Sequence, residues 1–202
     1  MKLYYSPGAC SLAPHIAARE AGLPIDLERV DLRNKKTASG EDFAALNPKG
    51  YVPALRLDDG SLLTEAAAVL QYLGDRAPAS GLLPAPGSTE RYRVIEWLTF
   101  ISSEVHKSYG PLWYPKSTEE AKQAARERIA QRLGLVEKAL EKGDYLTGSR
   151  LTLADVYLFT VVNWSGMTGV DLAAFPKLQA FQARVAARPK VQEALKAEGL
   201  VK

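Results

Sequence analysis

The chain changes its pattern once, across an uncharged stretch from Ala77 to Gly87 that holds three prolines and two glycines. Before it, strand and helix signals alternate; after it, every apolar repeat has helical spacing. One core of a single secondary-structure type cannot satisfy both patterns. The break therefore predicts a small α/β domain over residues 1–80 and an all-α domain over 88–202, joined by a linker at about 77–87.

Within the first part, Lys2-Leu3-Tyr4-Tyr5 is a short β-prone run ended by Ser6-Pro7-Gly8. A helix follows from about Ser11 to Ala21 and stops at Gly22-Leu23-Pro24. Leu27 to Asp31 reads as a second strand, and residues 34–42 as a polar, mobile-looking stretch. A helical turn precedes Asn47-Pro48. Val52 to Leu57 and Ser61 to Leu63 form a hairpin around Asp58-Asp59-Gly60. A helix then starts at Thr64-Glu65 and runs to about Gly74. The predicted order is βαβαββα, with the second helix the least defined.

In the second part, Val94, Leu98, Ile101 and Val105 recur at helical spacing, as do Tyr92, Ile95, Thr99, Ser102 and His106. Ala125, Ile129, Leu133, Val136 and Leu140 form a stripe on the next helix. Thr152-Leu153-Ala154-Asp155 is a capping box with Asp in place of Glu. The helix it opens, Val156 to Val162, is apolar nearly all round and belongs at the centre of a bundle.

Composition removes several function classes. With 24% charged and 47% hydrophobic residues, the chain is expected to fold rather than stay disordered. It contains no run of 18 uncharged apolar residues, so no membrane span is expected. Its first ten residues lack the apolar run of an export signal, which points to the cytoplasm. The net charge of +3 is interspersed along helices, so no nucleic-acid partner is expected. A single cysteine cannot form an internal disulfide, and two histidines with one distant cysteine lack metal-ligand spacing. No phosphate-binding glycine loop and no nucleophile elbow occurs.

Four places can carry chemistry. Cys10 follows the first strand at the start of a helix, where unpaired N–H groups and the helix dipole favour a thiolate; it is equally a small residue suited to fill a gap. Ser11 beside it can cap that helix or offer its hydroxyl. Val52-Pro53 opens a strand and can present backbone groups to an extended peptide if the bond is cis; the ordinary alternative is a trans proline on an edge strand. Glu65 and Ala66 begin a helix, where a carboxylate serves as a first-turn charge or binds an ammonium group, and the N–H groups suit a carboxylate. Thr99, Ser103, Glu104 and His106 form a polar strip on a mostly apolar helix, as a lined cleft does. His106, like His15, also fits as a core-edge residue.

Taken together, these segments resemble one family. MKLYYSPGACSLAPHIAARE, NPKGYVPAL, LLTEAAAVLQYL, IEWLTFISSEVHK and LTLADVYLFTV make the chain similar, end to end, to the bacterial beta-class glutathione S-transferases. The resemblance implies a thioredoxin-like first domain, a helical second domain and a cis Pro53: the cytosolic glutathione transferase fold. It implies conjugation of glutathione, as co-substrate, to small hydrophobic electrophiles, with thiol–disulfide exchange through Cys10 as a second activity. It gives Cys10, His106 and Ser11 catalytic roles. Cys10, Lys35, Val52, Pro53, Glu65, Ala66, Thr99, Ser103, Glu104 and His106 become the glutathione contacts, with Lys35 meeting the glycyl carboxylate. Pro111, Leu112, Trp113, Tyr114 and Trp164 become the residues facing the electrophile. A homodimer is implied, with Glu104 reaching a neighbouring subunit. Relatives often carry Ser at the position of Ala66 and Asn at that of Thr99. Some relatives of this architecture are non-catalytic binding proteins, the alternative that Cys10, Lys35, Glu65 and His106 argue against.

Overall fold

The computed structural model describes residues 1–202. Residues 1–83 together with 187–202 form one compact unit, and residues 84–186 form a second. No helix is long and apolar enough to cross a membrane.

The first unit is built on a sheet of β1 (Lys2–Tyr5), β2 (Asp26–Asp31), β3 (Lys36–Thr37), β4 (Ala54–Arg56) and β5 (Leu62–Thr64), ordered β3-β2-β1-β4-β5. β1 and β2 are parallel, joined by α1 (Leu12–Glu20), while β3, β4 and β5 each pair antiparallel to their neighbour. The short α2 (Phe43–Leu46) starts at Asp42, whose side chain accepts from the N–H groups of Ala44 and Ala45. α3 (Ala66–Arg76) follows β5 and packs with α1. Alternation along β1 puts Leu3 and Tyr4 on opposite faces, and both are fully buried, so each face of the sheet is covered. Tyr4 packs with Val30, Phe43, Val52 and Ala54.

Two expectations need correction here. The polar stretch at 34–42 contains β3, and its turn is tied down by Asp31, which accepts from the N–H groups of Arg33 and Asn34 and from the Asn34 side chain. Local Asx bonding ordered a segment whose composition read as loop. The last segment of the helical region expected over 88–202 groups with the first compact unit. α10 (Pro189–Ala197) packs on α1, where Arg188 makes a two-pronged ion pair with Glu20 at 2.7 Å for each arm. No sequence signal separates a last bundle helix from one that docks elsewhere.

The second unit is helical: α4 (Thr89–Phe100), α5 (Gly110–Trp113), α6 (Glu119–Leu140), α7 (Leu153–Val162), α8 (Ser165–Thr168) and α9 (Pro176–Ala186). Ser88 and Thr118 cap α4 and α6 by accepting from Arg91 and Ala121 N–H groups. The predicted stripe of α6, from Ala125 to Leu140, is buried, and all ten residues of α7 are buried. A Cβ on Gly143 would lie 2.7 Å from the Gly148 carbonyl oxygen, so the loop before α7 closes only with glycine there.

Asp155 fixes the start of α7. Its carboxylate accepts from the Thr152 N–H and hydroxyl and from the Leu146 N–H, at 2.7–2.8 Å. Burial pushes this carboxyl from about 3.8 up to about 6, against the downward pull of those donors. The folded chain thus holds the proton more tightly than the unfolded one, and this group's contribution to stability falls as pH rises through that interval. Asp155→Asn turns an acceptor into a donor facing N–H groups. It is expected to cost about 2 kcal/mol or more near neutral pH, with a larger deficit toward about pH 4, read by urea unfolding.

Candidate functional site

The turn after β1 presents Cys10. Ser6 accepts the Ala9 N–H at 3.0 Å, and Gly8 supplies a backbone angle of φ 70° that side chains resist. Ser11 does not cap α1: its hydroxyl oxygen accepts from the Ser6 N–H at 3.1 Å and its proton goes to the Ser6 carbonyl. Ser11 is fully buried, so its hydroxyl braces the turn, in place of the cap or the hydroxyl donor to a ligand expected of it. The half-buried Cys10 thiol donates to the Val52 carbonyl at 3.1 Å, which brings two sequence candidates together.

The Val52–Pro53 bond is cis, as the resemblance implies. The Val52 N–H donates to no group of the chain, so it is available to an added extended peptide. The Lys35 ammonium donates to the Gly50 carbonyl, next to the same segment. Lys35 (φ 54°) and Glu65 (φ 71°) are the only non-glycine residues in the left-handed region. Such angles persist where surrounding structure enforces them and cluster at ligand-binding positions.

Glu65 differs from its predicted place. It precedes α3 instead of lying in the first turn, and its side chain does not cap the helix. Its carboxylate accepts from the Lys49 ammonium at 2.8 Å and the Tyr51 hydroxyl at 2.7 Å. The bond to Glu65 raises both the Tyr51 phenol and the Lys49 ammonium above their ordinary ranges. The N-terminus of α3 has no side-chain capping bond from Glu65, and the backbone N–H of the largely buried Ala66 lies there. A carboxylate beside helical donors suits a ligand with an ammonium and a carboxylate on one carbon.

In the second unit the polar strip does not lie on one uninterrupted α-helix. α4 ends at Phe100, residues Ile101–Val105 make a π-helical turn, and His106–Tyr109 tighten into a 3₁₀ turn. Such wide turns recur at functional sites because they re-aim side chains. Thr99 donates to the Ile95 carbonyl and Ser103 to the Thr99 carbonyl, both at 2.9 Å, so each exposed hydroxyl presents its oxygen. Glu104, expected to reach a second subunit, pairs with Arg132 of its own chain at 2.8 Å. His106 bonds through Nδ1 to the Tyr157 hydroxyl at 2.7 Å and lies edge-on to Trp164 at 4.8 Å. Trp164 also meets Tyr109 and the half-exposed Trp113, making a ring-lined wall.

Sequence reading missed Lys49, Tyr157 and Glu198, and gave Tyr51, beside Val52-Pro53, no role of its own. Tyr157 was taken with the apolar positions of α7, although a buried tyrosine always asks for a hydrogen-bond partner. Glu198 is buried, and one oxygen accepts the Gly8 N–H while the other meets His15 Nδ1, each at 2.9 Å. Arg19 reaches His15 Nε2 at 3.5 Å, consistent with an Nδ1–H donated to Glu198. His15 is therefore a core clamp behind the Cys10 turn.

Comparison with known proteins agrees with this geometry. Residues 8–76 match the family described as glutathione S-transferase, N-terminal domain, and residues 103–198 its C-terminal domain. The chain is 48% identical to the glutathione S-transferase GstA of Escherichia coli O157:H7, over 99% of this chain and all of that one. Among solved structures it resembles BphK, described as a bacterial glutathione transferase in a ternary complex, at 57% identity and a TM-score of 0.97, covering 99% and 100% of the two chains. It also resembles a sphingomonad glutathione S-transferase complexed with glutathione, at 49% identity and a TM-score of 0.96 with full coverage of both chains. A bacterial beta-class enzyme from Sphingomonas chungbukensis matches equally, at 49% and 0.96, again over the whole of each chain.

Glu198→Ala removes the acceptor for the Gly8 N–H and the His15 partner at once. Each buried group left unpaired costs about 1–3 kcal/mol. A fall in unfolding free energy of about 2–4 kcal/mol is expected in urea, with faster alkylation of Cys10 as the turn loosens.

Proposed function

The chain belongs to the glutathione S-transferase family, and from that premise we propose that it is a bacterial beta-class enzyme joining glutathione to small hydrophobic electrophiles. The observation that carries this reading is the Cys10 thiol at the Val52 carbonyl, beside a backbone N–H that has no partner in the chain. Residues 1–80 act as the glutathione-binding part and the helical residues after the linker as the part that takes the electrophile.

The chemistry of glutathione fits the first unit group by group. Its cysteinyl backbone pairs with Val52, as a strand would. Lys35, already against this segment, meets the glycyl carboxylate as a point charge. The γ-glutamyl carboxylate takes the N–H groups at the start of α3, including that of Ala66, and its ammonium joins Lys49 and Tyr51 on Glu65. In the second unit, the hydroxyl oxygens of Thr99 and Ser103 are acceptors for ligand N–H groups, and Trp113 and Trp164 offer ring surface to an apolar electrophile.

Conjugation forms a carbon–sulfur bond between the glutathione thiolate and the electrophile, and the leaving group departs with its electron pair. Cys10, near the start of α1, adds a donor and the helix dipole to that thiolate, and the family resemblance gives His106 the handling of its proton. A second activity is thiol–disulfide exchange. The Cys10 thiolate attacks glutathione disulfide, forms a mixed disulfide and releases one glutathione thiolate. The chain has no second cysteine, so an outside thiol must resolve the adduct. A reducing cytoplasm suits such a thiol. The family resemblance supports a homodimer, in which Glu104, paired with Arg132 of its own chain through one oxygen, has the other for a neighbouring subunit.

Glu65→Gln removes the charge opposite the ligand ammonium. Calorimetry is expected to show glutathione affinity weaker by about 1.5–3 kcal/mol, roughly ten- to hundredfold, with the fold retained. Unchanged affinity would make Glu65 a partner of Lys49 and Tyr51 only.

Cys10→Ser cannot form a mixed disulfide. Oxidised glutathione is expected to convert the wild type to a single adduct by intact mass, reversed by excess thiol, and to leave the variant unmodified. Exchange activity should vanish in the variant while conjugation persists, since the glutathione sulfur is the nucleophile and serine still donates a hydrogen bond. An unmodified wild type would confine Cys10 to conjugation.

A further inference from the structure

A cavity of about 1030 Å³ opens in the first unit over β2, β3 and the turn between them. Arg29, Arg33 and Lys36 line it, with Asp31 as the carboxylate beside them. Asp31 is already engaged, since its oxygens accept from the Arg33 and Asn34 N–H groups and from the Asn34 side chain. Arg29 and Lys36 are exposed and take part in no ion pair or side-chain hydrogen bond within the chain. The cavity therefore carries an excess of positive charge. A concave wall of one sign concentrates anions far more than the same charges spread over a convex surface. Conjugation of an apolar electrophile makes no use of these cations.

The cavity borders the Cys10 turn within the same unit. Ser6 lines it, and Ser6 holds that turn by donating its N–H to Ser11 Oγ at 3.1 Å and accepting the Ala9 N–H at 3.0 Å. Val30 and Leu32 line it as well, and they pack in one cluster with Ala9, the neighbour of Cys10, and Val52, whose carbonyl takes the Cys10 thiol. Lys35 and Lys36 are consecutive yet serve different places. The Lys35 ammonium is on the Gly50 carbonyl, whereas Lys36 lines the cavity.

We propose that this cavity receives the leaving half of a disulfide during exchange at Cys10, and that Arg29, Arg33 and Lys36 select disulfides whose leaving thiol carries carboxylates. This rests on the exchange activity assigned to Cys10 and adds its substrate class. The glutathionyl half lies along Val52. The Cys10 thiolate attacks its sulfur, the old S–S bond breaks, and the second half departs as a thiolate. The new mixed disulfide holds the oxidation state that the departing thiolate gives up, so no further reactant is needed. In glutathione disulfide the second half has two carboxylates and one ammonium group. The cations meet its carboxylates and the charge that grows on its sulfur, and positive potential there makes the thiolate a better leaving group.

The test compares mixed disulfides of glutathione with mercaptopropionate, mercaptoethanol and cysteamine, whose leaving halves are anionic, neutral and cationic. Glutathionyl adduct formation on Cys10 is followed by intact mass. Each rate is divided by that of the same disulfide with dithiothreitol, which removes the intrinsic difference between leaving thiols. In the wild type the scaled rate is expected to be about tenfold higher for the anionic than for the cationic disulfide, and to lose most of that preference between about 20 mM and about 300 mM salt. The triple variant Arg29→Gln/Arg33→Gln/Lys36→Gln is expected to treat the three disulfides alike within about twofold. The comparison among disulfides cancels any change in the acidity of Cys10. All three side chains are exposed, and urea unfolding checks that the variant is folded; the salt series on the wild type needs no variant. Equal scaled rates in the wild type, or a preference that survives in the triple variant or at high salt, refute selection by this cavity and leave exchange standing. A wild type that iodoacetamide alkylates at Cys10 but no disulfide modifies refutes exchange itself, and the role of the cavity with it.

Discussion

Glu198 lies 190 residues beyond Gly8, yet the turn that carries the only cysteine depends on it. Its carboxylate is buried and divided between the Gly8 N–H and His15. A buried carboxylate is stable only when its oxygens are occupied, and a buried N–H only when it has an acceptor. The two needs are met together, which fixes Gly8 at its left-handed angle and thereby the direction in which Pro7 to Ser11 leave the sheet. Ser11 braces the same turn from within. α10 is brought to this place by the Arg188–Glu20 pair and by packing on α1. Residues 188–198 are thus part of the scaffold that holds residues 7–11.

The helical unit repeats this solution with a different residue. Asp155, also buried, accepts three hydrogen bonds and sets where α7 begins. Everything on α7 inherits that register, including Tyr157 and, through it, His106. In each unit a partly exposed candidate residue, Cys10 in the first and His106 in the second, has a buried carboxylate behind it. The difference is one of electrostatics. The Asp155 carboxyl is shifted up by burial, whereas Glu198 has a histidine against it.

Those two anchors mark the boundary of what the sequence makes legible. Asp155 was readable because a capping box is local: its members are three residues apart and their spacing is the signal. The strands, the tight hairpin at Asp58-Asp59-Gly60 and the stripe of α6 were readable for the same reason. Glu198 and Gly8 are 190 residues apart, and no periodicity connects them. The assignment of Ser11 to a cap was the natural local reading, but a tertiary turn claimed its hydroxyl. The polar strip was seen in the sequence as one helical face. The π-helical turn at Ile101–Val105 was invisible, because a single widened turn leaves the apolar repeat of Val94, Leu98, Ile101 and Val105 intact. Most candidate residues were singled out by local pattern, but each alone fits an ordinary structural role, and the resemblance gave them their functions and added Lys35.

Ligand binding in the first unit is then an exchange of partners rather than the filling of unsatisfied groups. The Val52 carbonyl already accepts the Cys10 thiol, Lys35 is already on Gly50, and Glu65 already has Lys49 and Tyr51. A ligand gains only the difference between its own contacts and those it displaces or shares, which keeps affinity moderate despite the number of complementary charges. The same economy protects the free protein, because no charge of the site lies buried and unpaired. Two groups stand outside the exchange: the Val52 N–H and the uncapped start of α3. They are backbone donors held in place by the fold, and they ask of a ligand two acceptors at a fixed separation, a carbonyl and a carboxylate. On the proposed reading Lys35 and Glu65 would contribute attraction by charge, while selection by shape would fall to these backbone donors, which the fold and not a side chain holds in place.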